Sequence, residues 1–322
     1  MQAILAVTVP FFALVLCGWL AARHHVLPES AIPGLNAFVL YFALPCLLFR
    51  FGAGTPIFEL LNPVVLLVWL SAALLIVFFS VALTLSARVQ LKDAAFGALV
   101  AAFPNTGFMG VPLLVALLGP AAAGPVMCVV LADLFVTSSL CIALAEAHGA
   151  AAHGARTAAL RALRGALANP LPWSIALGLV FSLSGMTLAG PVEVVVRMLA
   201  DAATPVALFT IGAVLYRAGQ HAHSRTAPRD YLPLAAIKLL LHPLLVFSLG
   251  AAARALGAPI SGFTLTALTL AAALPSASNV SLLAERYQAD NGRIARIIMS
   301  STVAAFVSFT LLAWAMGAAP RG

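Results

Sequence analysis

Along this chain apolar residues do not alternate with polar ones; they run in long blocks separated by short polar punctuation. A helix of about 20 apolar residues crosses the hydrocarbon of a bilayer. Ten such blocks are predicted as spans, near residues 4–22, 35–51, 63–85, 94–118, 124–145, 172–188, 192–216, 231–253, 262–283 and 297–316. The second is the shortest, and its Pro45 is read as a kink inside a helix. The fourth block stops on Phe103-Pro104-Asn105-Thr106-Gly107 and then resumes. Pro104 has no N–H and clashes with the carbonyl four residues back, so the helix breaks there. Asn105 and Thr106 are good caps for a second half-helix, and Gly107 lets another backbone approach. The ninth block is broken in the same way at Leu274-Pro275-Ser276-Ala277-Ser278-Asn279. In a bilayer, unpaired backbone of this kind is tolerated only where it is buried in protein or lines a cavity, and paired breaks mark a transporter's binding site.

Composition turns the blocks into a class. With 63% hydrophobic residues, 8% charged and a mean hydropathy of +1.07, the chain is predicted to be an all-α integral membrane protein. The net charge of +7 then belongs to loops facing the cytoplasm, and no nucleic-acid partner is expected. Cys17, Cys46, Cys128 and Cys141 lie in apolar stretches without metal-ligand spacing, so they read as small buried hydrophobes. No metal and no cofactor is expected. The first block has no basic residue ahead of it, which favours a retained helix over a cleaved leader.

Charge sets the orientation. Arg23, Arg88, Lys92, Arg156, Arg161, Arg164, Arg217, Arg225, Arg229, Arg286, Arg293 and Arg296 collect on one side of the predicted spans. Only Arg50, Arg197, Arg254 and Arg321 fall on the other, with Lys238 inside a span. The richer side is cytoplasmic, so both termini of this multi-pass membrane protein are expected to face outward, which is the periplasm if the membrane is a bacterial inner one. The longest polar stretch, 148–169, divides the chain into halves at 1–147 and 170–322, each of five spans. An odd number makes the halves inverted repeats. Their punctuation matches in order: Pro10 with Pro172, Pro45 with Pro205, and Pro104-Asn105 with Pro275 through Asn279.

The stretches PNTGFMGVP at 104–112, PSASNVSLLAERY at 275–287 and the second block around Asn36–Phe49 resemble the auxin efflux carrier family, in its bacterial malonate and malate branch. The resemblance covers essentially the whole chain. It implies ten helices in two inverted five-helix repeats, with helices 4 and 9 broken and crossing near the membrane centre. It further implies a scaffold of helices 1, 2, 6 and 7, homodimeric in many members, a mobile bundle of the others, and a small organic anion, a carboxylate, as substrate. The plant proteins' long central loop is short here, which favours a carboxylate carrier over an auxin carrier.

The candidate substrate site follows from the breaks. Half-helix N-termini present free N–H groups that hold carboxylates without a fixed charge, and Asn105 and Asn279 add amides beside them. Pro104, Thr106, Gly107, Pro275, Ser276 and Ser278 complete the set; the alternative is that the asparagines only cap exposed backbone. Asp133 is a lone carboxylate in the fifth span and a candidate proton carrier, against a structural role bonding nearby backbone. Lys238 and His242 share a face of the eighth span, one turn apart. Lys238 either snorkels to the interface, pairs with Asp133 or faces the substrate, and His242 satisfies a local carbonyl. Asp201 is expected to pair with Arg197 on its own helix. Gly18, Gly97, Gly178, Gly212 and Gly250 are expected at close helix contacts.

The function expected is therefore secondary transport of a small organic anion by alternating access, elevator-like and coupled to H+ or the membrane potential, with lipid as the surrounding partner. The near alternative is a carrier of the bile-acid–sodium-symporter type, coupled to Na+; an ion channel is the more distant one. No nucleotide-binding motif or nucleophile elbow appears in the sequence, so an enzyme is not expected.

Overall fold

The computed structural model describes residues 1–147, 167–220 and 227–318, and among these every regular element is a helix. Most of the central stretch 148–169, with Arg156, Arg161 and Arg164, lies outside the described residues, as do Arg225 and Arg321. We number the helices α1 Gln2–Arg23, α2 Glu29–Ala53, α3 Pro63–Thr84, α4 Leu91–Ala102, α5 Thr106–Leu118 and α6 Pro120–Ala147. After the central stretch come α7 Pro170–Ser184, α8 Gly190–Gln220, α9 Pro228–Ala255, α10 Gly262–Ala272, α11 Val280–Arg286 and α12 Asn291–Ala315. Seven helical stretches among the described residues are long and apolar enough to cross a membrane, and α5, α7 and α10 are shorter apolar helices. Caps start several of them. Asn62 accepts from the N–H of Val64 and Val65, Asn169 from Leu171, Ser261 from Thr264 and Asp290 from Arg293, at 2.9–3.2 Å.

Proline lies inside several of these helices without ending them. Pro45 stays inside α2, with a π-helical turn at Val39–Ala43 just ahead of it. Pro112 follows the π turn Thr106–Gly110 and Pro243 follows Ile237–Leu241, each by two residues. The ring denies the carbonyl four residues back its partner, and the wider i→i+5 turn relieves the clash. Pro10 sits in α1 with no such turn.

Two helix pairs are pressed together through glycine. A Cβ on Gly18 of α1 would run into the carbonyl of Phe209 on α8, and one on Gly212 of α8 into the carbonyl of Val15 on α1. In the same reciprocal way Gly52 of α2 meets Ile175 of α7, and Gly178 of α7 meets the carbonyl of Phe49. Small residues here allow backbone-to-backbone approach, the means by which helices associate where lipid removes the hydrophobic drive. Gly97 faces Leu234 and Arg293, and Gly250 faces Leu265, so those two accommodate side chains. Helices α3, α6, α9, α11 and α12 pack around α4, which is buried along Ala94–Ala102. Outward faces stay greasy: Leu67, Phe78, Val195, Met198, Val303 and Trp314 are all exposed large apolar side chains. Such a surface is at home only against lipid.

Two charges depart from the sequence expectation. Asp201 pairs with Arg50 of α2 at 3.4 Å instead of with Arg197, because the packing of α2 on α8 brings that guanidinium alongside. Arg293, grouped above with the loop charges, is buried at the start of α12. Its Nε donates to the carbonyl of Asp230 at 2.9 Å, while the Asp93 carboxylate accepts from the N–H of Asp290 at 2.8 Å and Lys92 donates to the Gln288 carbonyl at 2.6 Å. These bonds tie the starts of α4, α9 and α12 into one polar knot.

Candidate functional site

The two interruptions meet. Between α4 and α5, and between α10 and α11, the extended segments lie antiparallel with Pro104 opposite Ser276. The N–H of Asn105 donates to the Pro275 carbonyl at 2.8 Å, and the N–H of Ala277 to the Phe103 carbonyl at 3.0 Å. Each break thus satisfies part of the other's exposed backbone, which neither helix can do alone. Asn105 makes a tight turn in which the N–H of Thr106 reaches the Pro104 carbonyl at 2.8 Å. On the far side, the N–H of Ser276 is held by Ser301 Oγ of α12 at 3.2 Å.

The asparagine side chains are not used as caps. Asn105 and Asn279 stand at the N-cap positions of α5 and α11, yet neither makes a side-chain cap bond. The Oδ1 of each is buried without a hydrogen-bond partner, and so is Ser276 Oγ. Since the two ends of an amide exchange by a flip of the side chain, each asparagine can offer either donor or acceptor. The carbonyl of Asn105 is occupied by the N–H groups of Met109 and Gly110, at 3.1 and 2.9 Å. The N–H groups of Gly107 and Phe108, in the first turn of α5, make no backbone hydrogen bond. A small cavity of about 20 Å³ opens onto this point, lined by Pro104, Asn105, Thr106, Gly107 and Asn279, with Leu171 of α7 closing it. Of the predicted substrate residues, Pro275, Ser276 and Ser278 lie on the ladder and turn behind it and do not line the cavity. The volume suits about one water molecule. A carboxylate needs Leu171 and the crossing to move apart.

Beside the crossing is a second polar cluster, sealed from both lipid and water. Asp133, Lys238 and His242 are all 0% exposed. Asp133 Oδ1 accepts from Trp69 Nε1 and from Thr137 Oγ1, each at 2.9 Å, and Oδ2 has no partner. Lys238 does not snorkel: its Nζ donates to the Ala272 carbonyl at 2.6 Å and lies 3.1 Å from His242 Nδ1. His242 therefore faces the lysine and not a carbonyl, and its ring packs on Trp69 with centroids 5.2 Å apart. Asp133 opens a π turn, Asp133–Thr137, of α6. Such turns are frequent at functional sites. The cluster adjoins the crossing through the chain itself, since Leu134 lines the cavity and Ala272 immediately precedes the second break. Sequence reasoning missed Trp69, Thr137 and the Ala272 carbonyl. A tryptophan deep in an apolar helix needs a partner for its N–H, and Thr137 is one turn from Asp133, so those two left a signal. The carbonyl left none.

Comparison with known proteins bears on what this arrangement serves. The family described as "Membrane transport protein" matches residues 3–313. The chain is 28% identical over 312 residues to a protein of Rhizobium meliloti (strain 1021) named "Putative malonate transporter", covering 96% of this chain and 95% of that one. It is 24% identical over 283 residues to the "Uncharacterized transporter YfdV" of Escherichia coli (strain K12), covering 86% of each. The protein of that name from Shigella flexneri matches to the same extent.

Proposed function

Since the chain belongs to the membrane transport protein family, that of the auxin efflux carriers, we propose that it is a secondary transporter of small organic anions working by elevator-like alternating access. The observation that carries this reading is the pairing of 103–105 with 275–277, which brings two uncommitted asparagine amides and two free N–H groups to one cavity. Donors without fixed charge at a helix N-terminus suit a carboxylate, which must be released as readily as it is bound. The name of the Rhizobium relative points to malonate. We carry over the class, short dicarboxylates, as the substrate to try first.

The helix contacts support two inverted repeats, 1–147 and 170–322, joined by 148–169. Exchanging each of α1–α6 for the helix six places later turns α1·α8 into α7·α2, α3·α4 into α9·α10, α3·α6 into α9·α12 and α4·α12 into α10·α6, all observed contacts. The glycine-pressed pairs α1·α8 and α2·α7 form the scaffold, through which two copies associate in the inner membrane; the other helices form the moving bundle. Sliding the bundle past Leu171 opens the cavity. Asp133, the one carboxylate among the described residues that is enclosed with an uncommitted oxygen, carries the coupling proton, with Lys238 and His242 beside it. Both termini are periplasmic by the loop charges.

The test is a melting-temperature screen of purified protein against mono- and dicarboxylates, because a ligand that binds only the folded state raises its stability. A saturable rise with malonate or a related dicarboxylate is expected. No response to any carboxylate, with response to an unrelated solute, would overturn the substrate class.

A further inference from the structure

The C-terminal end of α10 is built for a cation. The helix closes at Ala272, and the chain then unwinds into the crossing. The N–H groups beyond it go to Thr269 and Ala271, at 3.1 and 3.3 Å, and none reaches the Ala272 carbonyl. That oxygen stands at the negative end of an 11-residue helix and belongs to a residue that is fully buried. Its partner is Lys238 Nζ at 2.6 Å, from a side chain that is 0% exposed. Beside the ammonium is one further group that favours positive charge. His242 Nδ1 lies at 3.1 Å; since an ammonium only donates, a charged Lys238 makes this nitrogen the acceptor and assigns the ring proton to the buried Nε2, which has no partner. Asp133, buried in the same cluster, is not in ion-pair contact with the ammonium, and its Oδ2 is unclaimed.

A carbonyl oxygen and an imidazole nitrogen close around one positive centre are donors of the kind a monovalent-cation site uses. Here the centre is covalently attached. A long side chain buried along its whole length is costly to order and to desolvate, and a neutral residue would fill the same space at less cost. A positive charge held here therefore has to be compensated by the groups around it.

We propose that Lys238 is a tethered monovalent cation, its ammonium filling a cation site at the end of α10, so that the crossing is held together without an alkali-metal ion. Removing the side chain turns that end into a site for a free cation of similar size and charge, such as methylammonium, K+ or Na+. This deepens the proposed transport function by assigning Lys238 a positioning role behind the crossing, and it rests on that reading only for its bearing on transport. The geometry at Ala272 stands by itself.

The experiment measures melting temperatures of the purified full-length protein in choline chloride, with NaCl, KCl or methylammonium chloride exchanged in at constant ionic strength. Wild type is expected to be indifferent to the exchange. Lys238→Ala is expected to melt lower in choline and to regain several degrees, saturably, with at least one small cation. Lys238→Gln keeps an N–H for the Ala272 carbonyl without the charge, and decides the matter should the alanine variant not fold. It is expected to melt below wild type and to recover in part with methylammonium. A saturable Na+ or K+ response in wild type overturns the proposal, as does a folded alanine variant indifferent to all three salts. A glutamine variant as stable as wild type, or less stable with no cation response, overturns it as well. The carboxylate response of wild type is read in the same assay, so loss of the substrate reading is distinguished from loss of this one.

Discussion

Asp133 holds two donated hydrogen bonds on one oxygen and offers the other to nothing. That asymmetry separates its structural work from its proposed coupling work. Asp133→Asn keeps an Oδ1 for Trp69 and Thr137 and removes the titratable proton. The variant is expected to fold and to bind carboxylate, and to lose the acceleration of uptake by an imposed pH gradient in proteoliposomes. Uptake that still follows the gradient would return Asp133 to a purely structural role. Trp69→Phe probes the other half: it removes one of the two hydrogen bonds to the buried Oδ1, leaving Thr137 alone, and is expected to cost about 1.5–3 kcal/mol of stability, read in a thermal melt. Asp133 stood out in the sequence by type and depth alone, because a carboxylate inside a span is costly. The partner of Lys238 did not, since a bare carbonyl 34 residues away carries no side-chain signature. The same holds for the Arg50–Asp201 pair, made by two helices far apart in sequence.

At the scale of elements, proline wrote most of what could be read. Pro104 and Pro275 announced the breaks, and Pro45, Pro112 and Pro243 each stand two residues beyond a π turn. A break is a local event and shows locally. The register of 103–105 on 275–277 is a long-range pairing, and nothing in either segment specifies it alone. Gly18, Gly178 and Gly212 were legible as contacts, whereas Gly52, the partner of Gly178, lies just beyond the predicted span 35–51 and left no such signal. These glycines give a sharp expectation. Gly212→Ala drives a methyl into the backbone of α1 and is expected to lose at least about 1–3 kcal/mol, measured as a fall in melting temperature. Gly34→Ala, with nothing within 4 Å of the new methyl, is expected to be neutral or slightly stabilising. Equal effects at the two positions would contradict a scaffold pressed together through glycine.

For the whole molecule, the first claim to check is orientation. In a cysteine-free background, a cysteine at Gln2 is expected to react with an impermeant reagent in intact cells and one at Ala158 is not; the reverse pattern would invert the reading of the loop charges. The central claim is that each half contributes one asparagine to a single carboxylate at the crossing. The direct measurement is a double-mutant cycle on Asn105 and Asn279, with malonate binding followed on purified, monodisperse protein. Each alanine variant removes one hydrogen bond to a charged group, about 1.5–3 kcal/mol, and is expected to weaken binding about tenfold to a hundredfold. Because both amides touch one ligand, the double variant is expected to differ from the sum of the single ones. Single variants that bind as tightly as wild type would contradict the account and leave the paired breaks as a structural kink.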